Sequence, residues 1–114
     1  MPKSKRVPRF FLSSSQGLLN QLFRFYLWEN FRIRAEIWKA RKGEHRPSDV
    51  LLHNGTQPLR PIQPGSVRLV VFQSEWNAAD RLLWARKGAT HYLSLSDPIS
   101  EIYKKLKLLT KSKG

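Results

Sequence analysis

The residues best suited to chemistry in this sequence are a cationic and aromatic set at helical spacing. Arg24, Trp28 and Arg32 follow one another at intervals of four residues, which places them on one side of a helix. Guanidinium groups pair with phosphates, and an indole ring stacks on an unpaired base or a sugar. The spacing therefore indicates a surface for RNA. The alternative stays open that Trp28 packs in the core with the arginines solvated around it.

A second tryptophan, Trp84, also lies beside cations. In a predicted helix of about Glu75 to Lys87 it is turned roughly 120° from the centre of the apolar face, and Arg86 and Lys87 follow it in sequence. A tryptophan outside the apolar face indicates a surface for a partner, either protein or RNA. The alternative is that Trp84 is buried under the first helix or under a proline-rich connector.

Catalytic chemistry has little support. The chain has 0 Cys, which excludes disulfides, thiolate zinc sites and a cysteine nucleophile. Its histidines, His45, His53 and His91, show no H-x-x-x-H spacing, and Ser13 to Ser15 lack the glycines of a nucleophile elbow. No phosphate-binding loop or dinucleotide fingerprint is present. The sequence therefore predicts no enzyme, no metal and no cofactor.

Two helix N-termini are candidate phosphate sites. Ser74 and Asp97 each precede a predicted helix, and both helix ends would lie at the same edge of the predicted sheet, where phosphates commonly bind. Glu75 and Asp97 already place negative charge there. A phosphate ligand is therefore disfavoured at both ends, and no small-molecule substrate is predicted.

The charge of the chain is strongly positive. In 114 residues, 21 Lys and Arg oppose 8 Asp and Glu, a formal net charge of +13. The excess lies at both ends and in the first long segment, which suits binding along a phosphate backbone; a solvated basic surface is the alternative. We predict a set of RNA-binding residues on this basis. Its members are Lys3, Lys5, Arg6, Arg9, Arg24, Trp28, Arg32, Lys39, Arg41, Lys42, Arg86, Lys87, Lys104, Lys105, Lys107, Lys111 and Lys113.

The N-terminal region has the composition of an import signal. No acidic residue precedes Glu29, and the region contains arginines and three consecutive serines, which is typical of a mitochondrial or plastid transit segment. Pro2 and Pro8 interrupt the amphipathic helix that such a signal forms. An RNA-binding arm is the other interpretation. On this composition the mitochondrial matrix is the favoured location and the cytoplasm the alternative. The apolar-rich run from Leu18 to Trp28 is too short to span a bilayer.

A long first helix is expected to position the cationic set. Ser13 to Ser15 offer an N-cap for a helix over residues 16–42, and Gly43 supplies the C-cap. Lys39 and Lys42 fall on the same side as Trp28. The apolar stripe on the opposite side is formed by Leu19, Leu22, Phe23, Tyr26, Ile33 and Ile37, with Asn30 among them.

The rest of the chain is predicted to be a small β-α-β-α unit over residues 67–109. A connector over 43–66, rich in proline and glycine, joins it to the first helix. Two parallel strands, at 67–72 and 91–95, would be linked by a right-handed crossover through a helix that Ser74 caps and Gly88 ends. One face of the last helix is expected to be apolar, formed by Ile99, Ile102, Tyr103, Leu106 and Leu109. The fold class is α/β. The chain divides into a basic extended arm over 1–12, a single domain over 13–109 and a basic tail over 110–114.

In composition, the chain resembles a ribosomal protein, because it is small and basic with basic tails. The charge layout and this resemblance predict a structural subunit, most naturally mitochondrial, that neutralises rRNA phosphates and docks neighbouring proteins. The alternative is an accessory subunit of an organellar membrane complex. Its lipid-facing residues would be Phe23, Phe25, Leu27 and Trp28. A DNA-binding module is a third reading, for which no helix-turn-helix or zinc pattern is present.

Overall fold

A computed structural model describes residues 8–38, 46–59, 62 and 65–110 of the chain. Strands and helices alternate along most of this length. In chain order they are β1 (Phe10–Leu12), α1 (Leu18–Phe31), β2 (Glu36–Ile37), β3 (Val50–Asn54), β4 (Arg68–Gln73), α2 (Ala78–Arg86), β5 (Ala89–Ser94) and α3 (Ile99–Thr110).

The strands form one parallel sheet in the order β2-β1-β3-β4-β5. This is one of the common strand orders of doubly wound α/β sheets. The predicted α/β class is therefore confirmed. The prediction of a sheet with two strands was wrong, because β1, β2 and β3 come from segments that were expected to be an arm, a helix and a connector.

The two faces of the sheet carry separate apolar layers, because successive strand residues point to opposite faces. Strands buried on both faces read as continuous apolar runs, and Val50–Leu52 and Leu69–Phe72 are such runs, fully buried. One face packs against α1 and α3 through Phe10, Leu12, Val50, Leu52, Val70 and Phe72. The other packs against α2 through Phe11, Leu51, Leu69, Val71 and Trp84.

Residues 10–12 are a buried strand and not part of a basic arm. An ion pair anchors the strand: Arg9 Nη2 lies 2.8 Å from Asp49 Oδ2, and the Arg9 backbone N–H donates to Asp49 Oδ1. Asp49 is fully buried at the start of β3, so the pair fixes β1 beside β3. The remainder of the predicted arm, residues 1–7, lies outside the described residues.

The predicted helix over 16–42 is shorter in the structure. α1 ends at Phe31 because Arg32 adopts a left-handed conformation, with φ 56° and ψ 32°, and Ile33 N–H donates to Leu27 O at 3.2 Å. Beyond this turn, Ile33, Ala35 and Ile37 alternate with polar residues. That is a strand period and not a helical one, and β2 forms there. Residues 39–42 and the predicted C-cap Gly43 lie outside the described part of the chain.

The start of α1 also differs from the prediction. Gly17, with φ 94°, precedes the helix, and no side chain of the described residues caps it. The hydroxyl of Ser14 accepts instead from Gln16 N–H at 3.0 Å. Of the predicted apolar stripe, Phe23 is buried but Leu22 is exposed, and Leu27 is buried in its place.

The last helices lie close to their predicted positions. α2 begins at Ala78 and not near Glu75, because Asn77 Oδ1 accepts from Asp80 N–H at 2.8 Å and caps it. α3 buries Ile102, Leu106 and Leu109, as expected. Its two other predicted apolar contacts are half-exposed. These are Ile99 and Tyr103.

Candidate nucleic-acid interface

A groove lies between α1 and the segment that leads into β2. Its volume is about 580 Å³. Basic, aromatic and amide side chains dominate its lining, and none of the lining residues is acidic. They are Ser15, Asn20, Gln21, Arg24, Phe25, Trp28, Ile33, Arg34 and Ala35. We call this surface the α1 groove.

The left-handed turn at Arg32 brings two cations close to one indole ring. The guanidinium carbon of Arg32 is 5.2 Å from the Trp28 ring centroid, and that of Arg34 is 5.4 Å away. Trp28 itself is 40% exposed. Part of its ring is therefore accessible to a ligand, with two guanidinium groups over it.

Arg24 extends the positive charge toward the start of the helix. Its Nε donates to the backbone carbonyl of Ala35 at 3.1 Å, a bond that joins α1 to the segment before β2. The contact fixes the direction of an exposed side chain. Of the predicted ridge on α1, the structure thus places Arg24 and Trp28 in one groove and Arg32 directly beside them.

The other tryptophan has a different environment. Trp84 is 3% exposed, lies against the His53 ring at 5.1 Å between centroids, and has Lys87 Nζ 4.6 Å from its ring centroid. The Trp84 indole, predicted as a partner surface, is therefore buried, and the exposed apolar residues of α2 are Leu82 and Leu83. The indole was placed outside the apolar face because Leu82 and Leu83 were expected to face the sheet, and both are exposed.

The remaining predicted RNA ligands are scattered. Arg86 and Lys87 are exposed at the end of α2, on the sheet face opposite α1. Arg9 pairs with buried Asp49. On α3, Lys104 approaches Glu101 at 3.5 Å, Lys105 lies 4.0 Å from Asp97, and Lys107 lies over the Tyr103 ring. Eight further candidates lie outside the described residues. They are Lys3, Lys5, Arg6, Lys39, Arg41, Lys42, Lys111 and Lys113.

Arg34 was missed from the sequence. A continuous helix to residue 42 would carry it away from Trp28, whereas the strand that forms after Arg32 turns it back toward the ring. The alternation of Ile33, Ala35 and Ile37 was the available signal. The lipid-facing set also needs correction, because Phe23 and Leu27 belong to the core. No helix in the described residues has the length and apolarity needed to cross a bilayer.

A second polar network lies where β1 and β3 end. His53 Nε2 lies 2.8 Å from the Gln57 carbonyl and must donate to it, so Nδ1 is the acceptor for the Ser13 hydroxyl at 2.6 Å. Burial lowers the pKa of His53. The hydrogen bond to the Gln57 carbonyl opposes this shift, and the positive charge of Lys87 lowers the pKa further. The ring is therefore neutral at pH 7 and ties the two loops together. No group of three potential metal-binding side chains occurs in the part of the chain that the structure describes.

Comparison with known proteins finds no matching family model, no similar curated protein and no similar solved structure.

Proposed function

We propose that this protein binds RNA through the α1 groove, with an unpaired base stacked on Trp28. The observation that carries the proposal is the pair of guanidinium groups, from Arg32 and Arg34, over a partly exposed indole ring. Because none of the residues that line the groove is acidic, nothing there repels a phosphate backbone.

The groove favours an unpaired strand over a duplex. Trp28 presents a single aromatic surface, and base–aromatic stacking contributes about 1–3 kcal/mol per base only when the base is free to leave its neighbours. Arg24 lies one helical turn from Trp28, so it can pair with the phosphate of an adjacent nucleotide while the base stays on the ring.

The larger assembly that we propose is a ribosomal subunit of mitochondria, with rRNA as the ligand. The positive charge of the whole chain supports this proposal, and exposed Leu18, Leu22 and Phe25 on α1 offer contacts for a neighbouring protein. Purification from native extract at moderate salt, with and without nuclease, tests it. Recovery of a large particle that nuclease disperses supports a ribonucleoprotein, whereas a nuclease-resistant complex opposes it.

The groove is tested by matched charge changes. Arg34→Gln removes a cation beside Trp28, and Arg81→Gln removes one beside Tyr92 on the opposite face of the sheet. Affinity for an unstructured RNA is measured by fluorescence anisotropy, and we expect it to fall as salt is added. We also expect it to fall about threefold or more in Arg34→Gln but not in Arg81→Gln. Equal losses in the two variants would mean that total charge, and not the groove, determines binding.

A membrane surface is the second candidate, and the exposed apolar residues of α1 favour it. Leu18, Leu22 and Phe25 are 70%, 53% and 63% exposed, and they adjoin Arg24 as in interfacial helices. Sedimentation with vesicles that contain anionic lipid, compared with neutral vesicles, tests this. Binding that requires anionic lipid and weakens in Phe25→Ala would favour attachment to a membrane over the RNA proposal.

A further inference from the structure

We infer that the N-terminal end of α1, with the loop over residues 13–17 that precedes it, binds the phosphate of a small ligand that also carries a hydroxyl group. A nucleotide and a sugar phosphate both belong to this class. The inference does not depend on RNA binding at Trp28, which lies two helical turns away on the same helix.

The first reason is position in the sheet. β1 lies between β2 and β3 in the sheet. The chain passes from β1 to β2 through α1, which covers one face of the sheet. Leu59 and Ile62, which follow β3, cover the other face. The carboxyl ends of β1 and β3 therefore flank the point where the winding of the sheet reverses. Ligands of doubly wound sheets bind in the crevice at this point.

The second reason is the helix end itself. The first backbone N–H groups of an α-helix have no partner within the helix, and those of Leu18, Leu19 and Asn20 have no side-chain cap among the described residues. No acidic residue lies in the first turn of α1. In contrast, α2 has Asn77 as its cap and Asp80 in its first turn, and α3 has Glu101. The start of α1 is thus free to accept an anion.

The third reason is a buried acceptor atom at this helix end, the Oδ1 of Asn20, which has no hydrogen-bond partner among the described residues. Asn20 is fully buried, and its Nδ2 donates to Gln16 O at 2.7 Å and to Gln57 Oε1 at 2.9 Å. These bonds fix the orientation of the amide, and Oδ1 has no hydrogen-bond partner within the described ranges. Asn20 lines the α1 groove beside Ser15.

The unpaired acceptor Asn20 Oδ1 and the backbone N–H groups of the first turn of α1 together indicate which chemical groups the ligand carries. The N–H groups of the first turn suit phosphate oxygens, whereas Asn20 Oδ1 requires a donor, which a hydroxyl near the phosphate supplies. Satisfying a buried acceptor removes the desolvation cost that it carries alone. The ligand must therefore offer both groups, which excludes simple carboxylates and favours phosphorylated sugars and nucleotides.

Gly17 allows the Gln57 side chain to approach the loop after β1 closely. Its φ of 94° is one that side chains disfavour, and a Cβ there would meet Gln57 Nε2 at 3.2 Å. The Gln57 side chain in turn donates to Gln16 O at 3.3 Å. The loop after β3 thus packs against the loop after β1 at a position that has no side chain.

The test uses substitutions at Leu18, which is exposed and occupies the first helical position. Leu18→Asp places a carboxylate at the helix N-terminus, which should stabilise the helix while it repels a phosphate. Leu18→Pro suits the first position of a helix but removes one N–H donor. Leu22→Asp makes the same charge change one turn further along and serves as the control.

Inorganic phosphate and a nucleoside 5′-monophosphate are titrated while the ¹H–¹⁵N resonances are recorded. We expect Leu18, Leu19 and Asn20 to shift, with the nucleotide binding more tightly than phosphate. Leu18→Asp should weaken nucleotide binding about tenfold and raise the melting temperature, a combination that a purely structural role does not produce. Leu18→Pro should weaken it less, and Leu22→Asp about twofold at most.

RNA oligonucleotides with a 5′-phosphate or a 5′-hydroxyl distinguish a free ligand from a strand end. Preference for the 5′-phosphate strand over the mononucleotide indicates a strand terminus, and the reverse indicates a free ligand; both support the inference. Absence of shifts in the first turn of α1, or an unchanged affinity in Leu18→Asp, overturns it. RNA binding at Trp28 is measured with the 5′-hydroxyl strand, so its failure is recorded separately.

Discussion

Two tryptophans that each have cations beside them differ in how far their rings are exposed to solvent. Trp28 on α1 is 40% exposed, with Arg32 and Arg34 near its ring, whereas Trp84 on α2 is 3% exposed beneath Lys87. The local sequences are similar in composition, yet one indole faces a groove and the other completes an apolar layer. A cation–π contact alone therefore does not mark a binding surface.

The difference follows from how each helix ends and where it packs. α1 is followed by a left-handed residue and a strand that turns back along the helix, which opens a groove beside Trp28. α2 is short and rests on the sheet through Trp84, the residue in it that is buried. We expect substitutions at the two positions to separate stability from RNA affinity.

Loss of Trp84 should have the largest effect on stability. Trp84→Ala leaves a cavity among Phe11, Leu51 and Val71, and such truncations cost about 3–5 kcal/mol. Urea denaturation measures the change in the free energy of unfolding. Trp28→Ala is the matched control, for which we expect a loss below about 1 kcal/mol because the ring is partly solvated. Equal losses would contradict the distinction between the two tryptophans.

Substitution of Asp49 should have the next largest effect on the free energy of unfolding. Hydrogen bonds to a charged group contribute about 1.5–3 kcal/mol each. The Arg9 side chain is 38% exposed and stays partly solvated without its partner, so Asp49→Asn should destabilise the protein by about 1–3 kcal/mol. Burial alone would raise the pKa of Asp49, but hydrogen bonds from the Arg9 side chain and from the Arg46 and Arg9 backbones lower it below its usual value. Arg9 therefore acts in folding, in contrast to Arg34 in the groove.

The same ion pair predicts a dependence on pH. Because the pKa of Asp49 is lowered on folding, its contribution to stability is present above about pH 4, where the unfolded carboxyl is already ionised, and is lost as the pH falls through the lowered pKa. Denaturation at several pH values should show a steeper acid loss in the wild type than in Asp49→Asn. Parallel curves would show that other groups cause the acid loss.

The sequence could predict the parts of the fold that depend on short-range pattern. The apolar run at 67–72, the cap and glycine signals around α2 and the amphipathic α3 all led to elements near their observed positions. β1 was missed, and the segment at 50–52 was left as either a short strand or a turn within the connector, because three to five apolar residues identify a sheet strand only when neighbouring strands pair with them. Arg9 looked like a free cation, since Asp49 is 40 residues away in sequence.

The candidate site shows the same limit. Arg24 and Trp28 could be placed together from helical spacing, which requires only the period of α1. Arg34 could not, because its position depends on Arg32 leaving the helical conformation, a choice set by the pairing of β2 with β1. The sequence did not reveal that the start of α1 has no side-chain cap, because the serines at 13–15 are residues that commonly cap helices.

Trp28→Ala should have the third largest effect, on RNA affinity. Loss of one stacked base costs about 1–3 kcal/mol, or roughly 5- to 150-fold in the dissociation constant. Trp28→Phe should retain part of the affinity because it keeps an aromatic surface. Anisotropy titrations with a short unstructured RNA provide the measurement, and an alanine variant that binds as tightly as the wild type would remove Trp28 from the site.

The smallest effect should come from Arg32→Gly, and it should have opposite signs in two assays. Glycine tolerates the left-handed φ of 56° at this position, so stability should rise by about 1 kcal/mol. RNA affinity should fall by roughly two- to fivefold because a cation beside Trp28 is lost. Lower stability would show that the Arg32 side chain, and not its backbone strain, dominates at the end of α1.

The difference between the two tryptophans can be observed directly by ¹⁹F NMR. Protein labelled with 5-fluorotryptophan, with signals assigned through Trp28→Phe and Trp84→Phe, is titrated with unstructured RNA at low salt. The account predicts that the Trp28 resonance shifts progressively to saturation while the Trp84 resonance stays in place. A stationary Trp28 signal during RNA binding, or a shift confined to Trp84, would contradict it.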